Sequence, residues 1–444
     1  MGKEITCQDL AKLEKAFAKD RISQALQHAC FKSPISSVVY VPNRRSATTR
    51  KFSIELKTLD ACNQKNTGRC WIFAGCNLLR EIAAKKMNVE QLELSQTFVG
   101  YYDKLEKINH QLESILELAD CPDDDRTLYT INECPLLDGG QWDMFRSLIR
   151  KYGIVPKNAM DETYESSHTK DSNALINARI RAFEAEARRL VRAGKADEAR
   201  AMKEKVFAQC YNVITVAYGN PPKTFTLEYT DKDDVYHCVP DMTPKRFYEE
   251  FIGADMDEYV SIIHSPTPDK PYHKTYTVDY LGNVIGGQPI HYLNIPMDEM
   301  KKAVVDSLKA GEPVWFGSDC SRASDREAGI WDPYLYDYKT AFGFDIVLDK
   351  ADALNTGGSA MNHAMLITGV NLTDGDKPNR WKIENSWGTD VAEKGYYVAT
   401  DEWFDLYVYQ AVVRRSFLTK KSQKDLDQEP IHLPLWDPMG TLAD

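Results

Sequence analysis

Residues 64–76 constrain this chain more than any other stretch. A turn-prone run, Asn66, Thr67 and Gly68, leads into Cys70. After it Phe73, Leu78, Leu79, Ile82 and Ala83 recur at helical spacing, with Arg80, Glu81, Lys85 and Lys86 between them. The pattern predicts a helix whose first turn holds Cys70. A helix N-terminus carries unpaired N–H groups and the positive end of the dipole. Both favour thiolate over thiol, which is how a cysteine becomes a nucleophile near neutral pH. Gln64, six residues earlier, can aim its amide at the same place and share an oxyanion with the Cys70 N–H. The plain alternative is a buried structural thiol, the commoner fate of a cysteine.

The far end of the chain supplies what a thiolate needs. His363 opens one strand-like run, through Val370, and Asn385 closes the next, from Trp381. The two are therefore expected as neighbours at one end of an antiparallel sheet. Histidine suits proton transfer because its ordinary pKa lies near 6.5. An Asn amide can fix the ring, and Trp387 is placed to shield that hydrogen bond.

Composition narrows the function classes. The 444 residues are 43% hydrophobic and 27% charged, the profile of a globular chain with room for two or three domains. The net charge of −11 gives no general reason to expect nucleic acid or an anionic membrane as a partner. No run is long and apolar enough to cross a bilayer, and the N-terminus lacks a signal-peptide core. The ten cysteines form no C-x-x-C pair and no zinc-type spacing, so free thiols in a reducing cytoplasm are expected.

In order, residues 1–55 read as an N-terminal arm, with one amphipathic helix to Cys30 and a strand-like run at 37–41, packing on the β domain. Residues 56–156 hold the Cys70 helix, a helix capped by Ser95, and Gly139-Gly140 ahead of a helix ended by Gly153. Paired glycines can bring bare backbone to an extended peptide, or make a plain loop. Residues 157–290 begin with a helical hairpin at 171–193 and 196–211 and continue with aromatics, prolines and strand-like pieces. Residues 291–415 contain a helix at 297–310 and several short strands. In the tail, 416–444, Pro434 and Pro438 oppose regular structure, yet Leu435, Trp436, Met439 and Leu442 are too apolar for a frayed end.

Cys, then His, then Asn, with a Gln six residues before the Cys, is the layout of papain-like cysteine peptidases. On residues 64–73, 94–96, 138–144, 152–154, 311–317, 361–365, 384–388, 401–404 and 429–442 the chain resembles the papain superfamily, and within it the bleomycin hydrolase and aminopeptidase C family. The 293 positions from Cys70 to His363 exceed the roughly 130–150 of simple papain-like enzymes.

The resemblance implies an α+β fold: a helical L domain, an antiparallel β-barrel-like R domain, a large helical insertion at 157–290 and a C-terminal arm. It implies Cys70, His363, Asn385 and Gln64 as the catalytic set, with Trp387 and Trp71 in support. Gly139, Gly140, Asn362, Ala443 and Asp444 are expected at the substrate. Peptides are the implied substrates, with no cofactor and no metal, in a homohexamer whose active sites face an internal channel. In this family the arm lies in the cleft and its terminal carboxylate meets the substrate's α-amino group, which makes an aminopeptidase. Family tails commonly stop near the position of Ala443, so Asp444 is either trimmed, binds the amino group itself, or overfills the cleft. An endopeptidase with a displaced arm, and a non-catalytic binding protein on the same scaffold, are the alternatives.

Overall fold

The computed structural model describes residues 2–443, so Asp444 lies outside the described residues. The fold is α+β. Among these residues one sheet carries twelve strands. Its middle runs Tyr259–Ile263, Val408–Arg414, Val314–Ser318, His363–Thr373, Lys377–Glu384 and Tyr396–Thr400 in spatial order, antiparallel throughout. Tyr292–Asn294, Lys274–Val278 and Ile431–Leu433 extend one flank. Ile330–Trp331 and Ser324–Asp325 extend the other. Parallel pairings lie at these flanks.

Both faces of the sheet are buried, and strand alternation divides the cores. Trp315, Ala364 and Leu366 pack with residues of the helices Cys70–Met87, Gln96–Glu117 and Trp142–Tyr152. Val314, Phe316, Met365 and Ile367 belong to a second core with Val304 and Leu308 of helix Met297–Lys309. A one-residue slip of the central strand would exchange the two sets, at roughly 1.5–3 kcal/mol for each large side chain exposed or mispacked. Register is therefore strongly specified. It places His363 opposite Ser318 at the strand's first position, and Leu366 opposite Glu384 at the end of the next strand.

The hairpin of the middle segment forms as Lys170–Arg192 and Ala196–Tyr218. The rest of 157–290 is less separate than a helical insertion implies. Phe225–Thr230 and Tyr236–Met242 make a hairpin of their own, whereas Tyr259–Ile263 and Lys274–Val278 join the main sheet. The sheet thus crosses position 290. A period-two pattern identifies a strand but not the sheet that receives it.

The N-terminal segment holds two helices, Cys7–Phe17 and Arg21–Cys30, where one was expected. Asp20 breaks the run by accepting from the Ile22 and Ser23 N–H groups as an N-cap. The run at 37–41 is a short helical turn, Ile35–Val38, followed by a single bridge between Tyr40 and Tyr336. Arg44 pairs with Asp332 at 2.7 Å, and Ile54–Glu55 adds to the central strand, so this arm lies on the sheet.

The tail is tied down despite its prolines. Ile431–Leu433 pairs with Lys274–Val278, Asp437 pairs with Lys270 at 2.9 Å, and Arg126 sits 4.2 Å above the Trp436 ring. Met439 and Ala443 are buried. Among the described residues no helix is long and apolar enough to cross a membrane.

Candidate active site

Cys70 is the first residue of helix Cys70–Met87. The Ile72 and Phe73 N–H groups both donate to the Arg69 carbonyl, at 2.9 and 3.0 Å, so helical bonding begins one residue before the cysteine. Arg69 supplies no side-chain cap. Cys70 thus stands at the positive end of the helix dipole, a position that favours the thiolate.

The turn ahead of Cys70 is fixed by Asp138. Its carboxylate accepts from the Gly68 N–H at 3.0 Å and from Asn173 Nδ2 at 2.8 Å. It also accepts from the Thr169 hydroxyl and pairs with the buried Lys104. Burial alone would raise this carboxyl. The Lys104 ammonium and the donated hydrogen bonds outweigh it and hold Asp138 well below the usual carboxylate range. The Asp138 carbonyl accepts from Trp71 Nε1 at 2.8 Å. One residue thus joins the Cys70 turn to the Gly139-Gly140 segment.

His363 and Asn385 meet as the strand register requires. His363 Nε2 lies 2.8 Å from Asn385 Oδ1, which also accepts from the Ser386 N–H at 2.7 Å. An acceptor oxygen assigns the proton to Nε2 and leaves Nδ1 to take one. The Ala364 N–H donates to Cys70 Sγ at 3.4 Å, so the sulfur sits beside the first residues of the same strand. The Trp387 ring lies 5.2 Å from the imidazole. Burial pushes His363 down to about 4; the Asn385 bond opposes this and the positive Arg326 adds to it. An imidazole so placed takes up a proton readily only beside an anion.

Glu384 and Arg80 tie this pair to the nucleophile helix. Glu384 Oε1 accepts from Asn77 Nδ2 at 2.9 Å and from Arg80 Nη2 at 2.8 Å. Burial pushes the Glu384 carboxyl up to about 7, even against the opposing Arg80 charge. The sequence pattern put Arg80 among the charges of an amphipathic helix; it is buried instead, on a partner 304 residues away.

Gln64 is held by two bonds. Its N–H donates to the Ser386 carbonyl at 2.8 Å, and its Nε2 donates to the Thr67 carbonyl at 2.6 Å. The amide therefore has one N–H in the turn and a second left for an oxyanion. The side chain of Asn362, a residue expected at the substrate, is engaged in the protein itself. Its Nδ2 donates to Asp319 at 2.7 Å and its Oδ1 accepts from the Cys320 N–H at 3.1 Å, so the amide braces the loop next to His363.

The arm reaches the glycine segment. The Gly140 N–H donates to the Ala443 carbonyl at 3.1 Å, and Gln141 Nε2 donates to the Thr441 carbonyl at 2.6 Å. Gly139 accepts from Lys107 Nζ at 2.6 Å. Gly140 must lack a side chain, because a Cβ there would lie 2.4 Å from the Trp71 ring. Beside the arm is a cavity of about 500 Å³, lined by Lys107, Met144, Met361, Leu435, Thr441 and Leu442 among others.

A sulfur at a helix start, an imidazole oriented by an amide and a second amide for an oxyanion can carry acyl transfer through a thioester. The class that fold and site define together is the cysteine peptidase. Comparison with known proteins narrows it: the profile of the Peptidase C1-like family matches residues 4–440, and the chain belongs to that family. It is 44% identical over 396 residues, 88% of each chain, to the Aminopeptidase C of Lactobacillus delbrueckii subsp. lactis. It is 40% identical over the full length of both chains to the Aminopeptidase C of Listeria innocua. The crystal structure of pepw from Lactobacillus rhamnosis superposes with a TM-score of 0.97, at 42% identity and full coverage of both chains.

Asp138, Glu384 and Arg326 were not assigned roles from the sequence. Asp138 and Glu384 directly adjoin Gly139 and Asn385, and that adjacency was the available signal.

Proposed function

We propose that this chain is a cytoplasmic cysteine aminopeptidase that releases N-terminal residues from peptides. Cys70 attacks the carbonyl, and the Cys70 N–H and Gln64 hold the oxyanion. His363, oriented by Asn385, protonates the leaving amine. Water then attacks the thioester with His363 as base. Trp71 lies under Gly140 and Trp387 packs on His363, so both support the site. The aminopeptidase relatives support the reading, and one observation carries its exopeptidase half. The arm already bonds the glycine edge through Ala443 and Gly140, so an extended peptide has little room beyond its first residue on that side.

Assembly as a homohexamer belongs to the same proposal. The N-terminal helices support it: Cys7–Phe17 buries no residue in the single chain, and Leu13, Ile22 and Phe31 are exposed. A helix of this kind finds its apolar partner in another copy.

The test is a variant lacking residues 441–444. It removes both arm bonds at 140 and 141 and leaves the sheet intact. Cleavage of N-blocked aminoacyl-coumarin amides is expected to rise by about tenfold or more, and KM for free-amino substrates to rise. Unchanged exclusion of blocked substrates would show that the arm does not set the exopeptidase limit.

A further inference from the structure

Arg326 stands out among the cations of the structure. Its guanidinium carbon lies 4.1 Å above the Trp387 ring, and Trp387 in turn packs on His363 at 5.2 Å. Arg326 is exposed, and among the described residues no carboxylate lies within 4.0 Å of it. Its position is nevertheless built. Asp325, the preceding residue, accepts from the Tyr40 hydroxyl at 2.7 Å and from the Ala328 N–H at 2.9 Å. The Gly329 carbonyl accepts from the Val398 N–H at 2.9 Å. The loop is therefore fastened on both sides of the arginine.

Chemistry decides which part of a substrate this cation meets. The arm occupies the Gly140 edge, so in the aminopeptidase reading the substrate's N-terminal residue ends against the arm on that side. The departing amine must lie against His363, which protonates it. Groups flanking His363 through Trp387 therefore face the leaving half of the substrate. A second consideration agrees. Arg326 opposes protonation of His363, and a lone cation near an imidazole that must become imidazolium works against the reaction. A bound anion at Arg326 removes that opposition.

We propose that Arg326, laid on Trp387, is a specificity-determining contact for a carboxylate on the leaving group. The carboxylate is either the C-terminus of a dipeptide or an acidic side chain on the residue after the cut. The inference rests on the aminopeptidase reading above. Planar guanidinium suits bidentate carboxylate recognition, and stacking on an indole keeps it pre-organised. A purely structural arginine, covering Trp387 from water, would show no such preference.

The experiment measures kcat and KM for four substrates that share one N-terminal residue. They are a dipeptide free acid ending in leucine, its C-terminal amide, the amide of the dipeptide ending in aspartate, and a coumarin amide. Wild type is expected to favour the free acid over its amide by about tenfold in kcat/KM, mainly through KM, and less so at high salt. Preference for the aspartyl amide over the leucyl amide would assign the side chain as a source; its absence would leave the C-terminus as the source. Arg326→Gln is expected to bring the acid-to-amide ratio near one, and Arg326→Lys to restore part of it. A wild-type ratio near one for both carboxylates, or a ratio that Arg326→Gln leaves unchanged, overturns the proposal. If the coumarin amide is turned over in that case, the peptidase reading stands without it. If wild type turns over none of the four, both fall.

Discussion

Cys70→Ala is expected to lower kcat/KM by about 10⁴-fold or more, because no other group in the site can form the thioester. The fold should survive. Cys70 is fully buried, but the change removes one sulfur, and the Ala364 N–H loses an acceptor at 3.4 Å. Those terms amount to roughly 1–2 kcal/mol. Thermal unfolding measured beside turnover separates the two effects. A folded variant without activity is the expected result. Retained turnover would remove Cys70 from the mechanism.

The largest expected effect on stability is at Asp138. Asp138→Ala leaves Lys104 buried, with no carboxylate, and frees the Gly68 N–H and the Asn173 amide. Breaking a buried pair from one side costs about 3–5 kcal/mol. The sign with pH follows from the depressed carboxyl. The contribution is fully present above about pH 4, the ordinary unfolded value, and is lost only in stronger acid as the folded group takes up a proton. Denaturant unfolding at pH 7 should show the full loss, and the difference from wild type should narrow only in strong acid. Asp138→Asn keeps an acceptor for Gly68 but no charge for Lys104, so it should fall between the two. A change below about 0.5 kcal/mol in Asp138→Ala, the range of ordinary surface substitutions, would contradict this account of the turn.

What could be read in the sequence was what local chemistry dictates. Cys70 at a helix start, His363 at a strand start and Asn385 just past a strand end each follow from a short pattern, and the strand register then brings the last two together. The apolar tail was legible as a part that must pack somewhere, whereas the glycine segment alone read equally as a plain loop; the two meet at Gly140 and Ala443. The charged interior was not legible. Arg80 with Glu384 and Lys104 with Asp138 look like solvent-facing charges until a residue distant in sequence is brought against them. The same limit applies to Arg326, whose neighbour Trp387 lies far along the chain and carries it toward His363. The break in the first helix was readable, since Asp20 followed by Ser23 is a capping signal.

The most direct measurement uses the intact protein with one free-amino aminoacyl-coumarin amide and its N-blocked counterpart. The account predicts cleavage of the free-amino substrate alone, with stoichiometric loss of activity when Cys70 is alkylated. Efficient cleavage of the blocked substrate, or preferred internal cuts in longer peptides, would contradict the aminopeptidase claim and leave an endopeptidase with an open cleft.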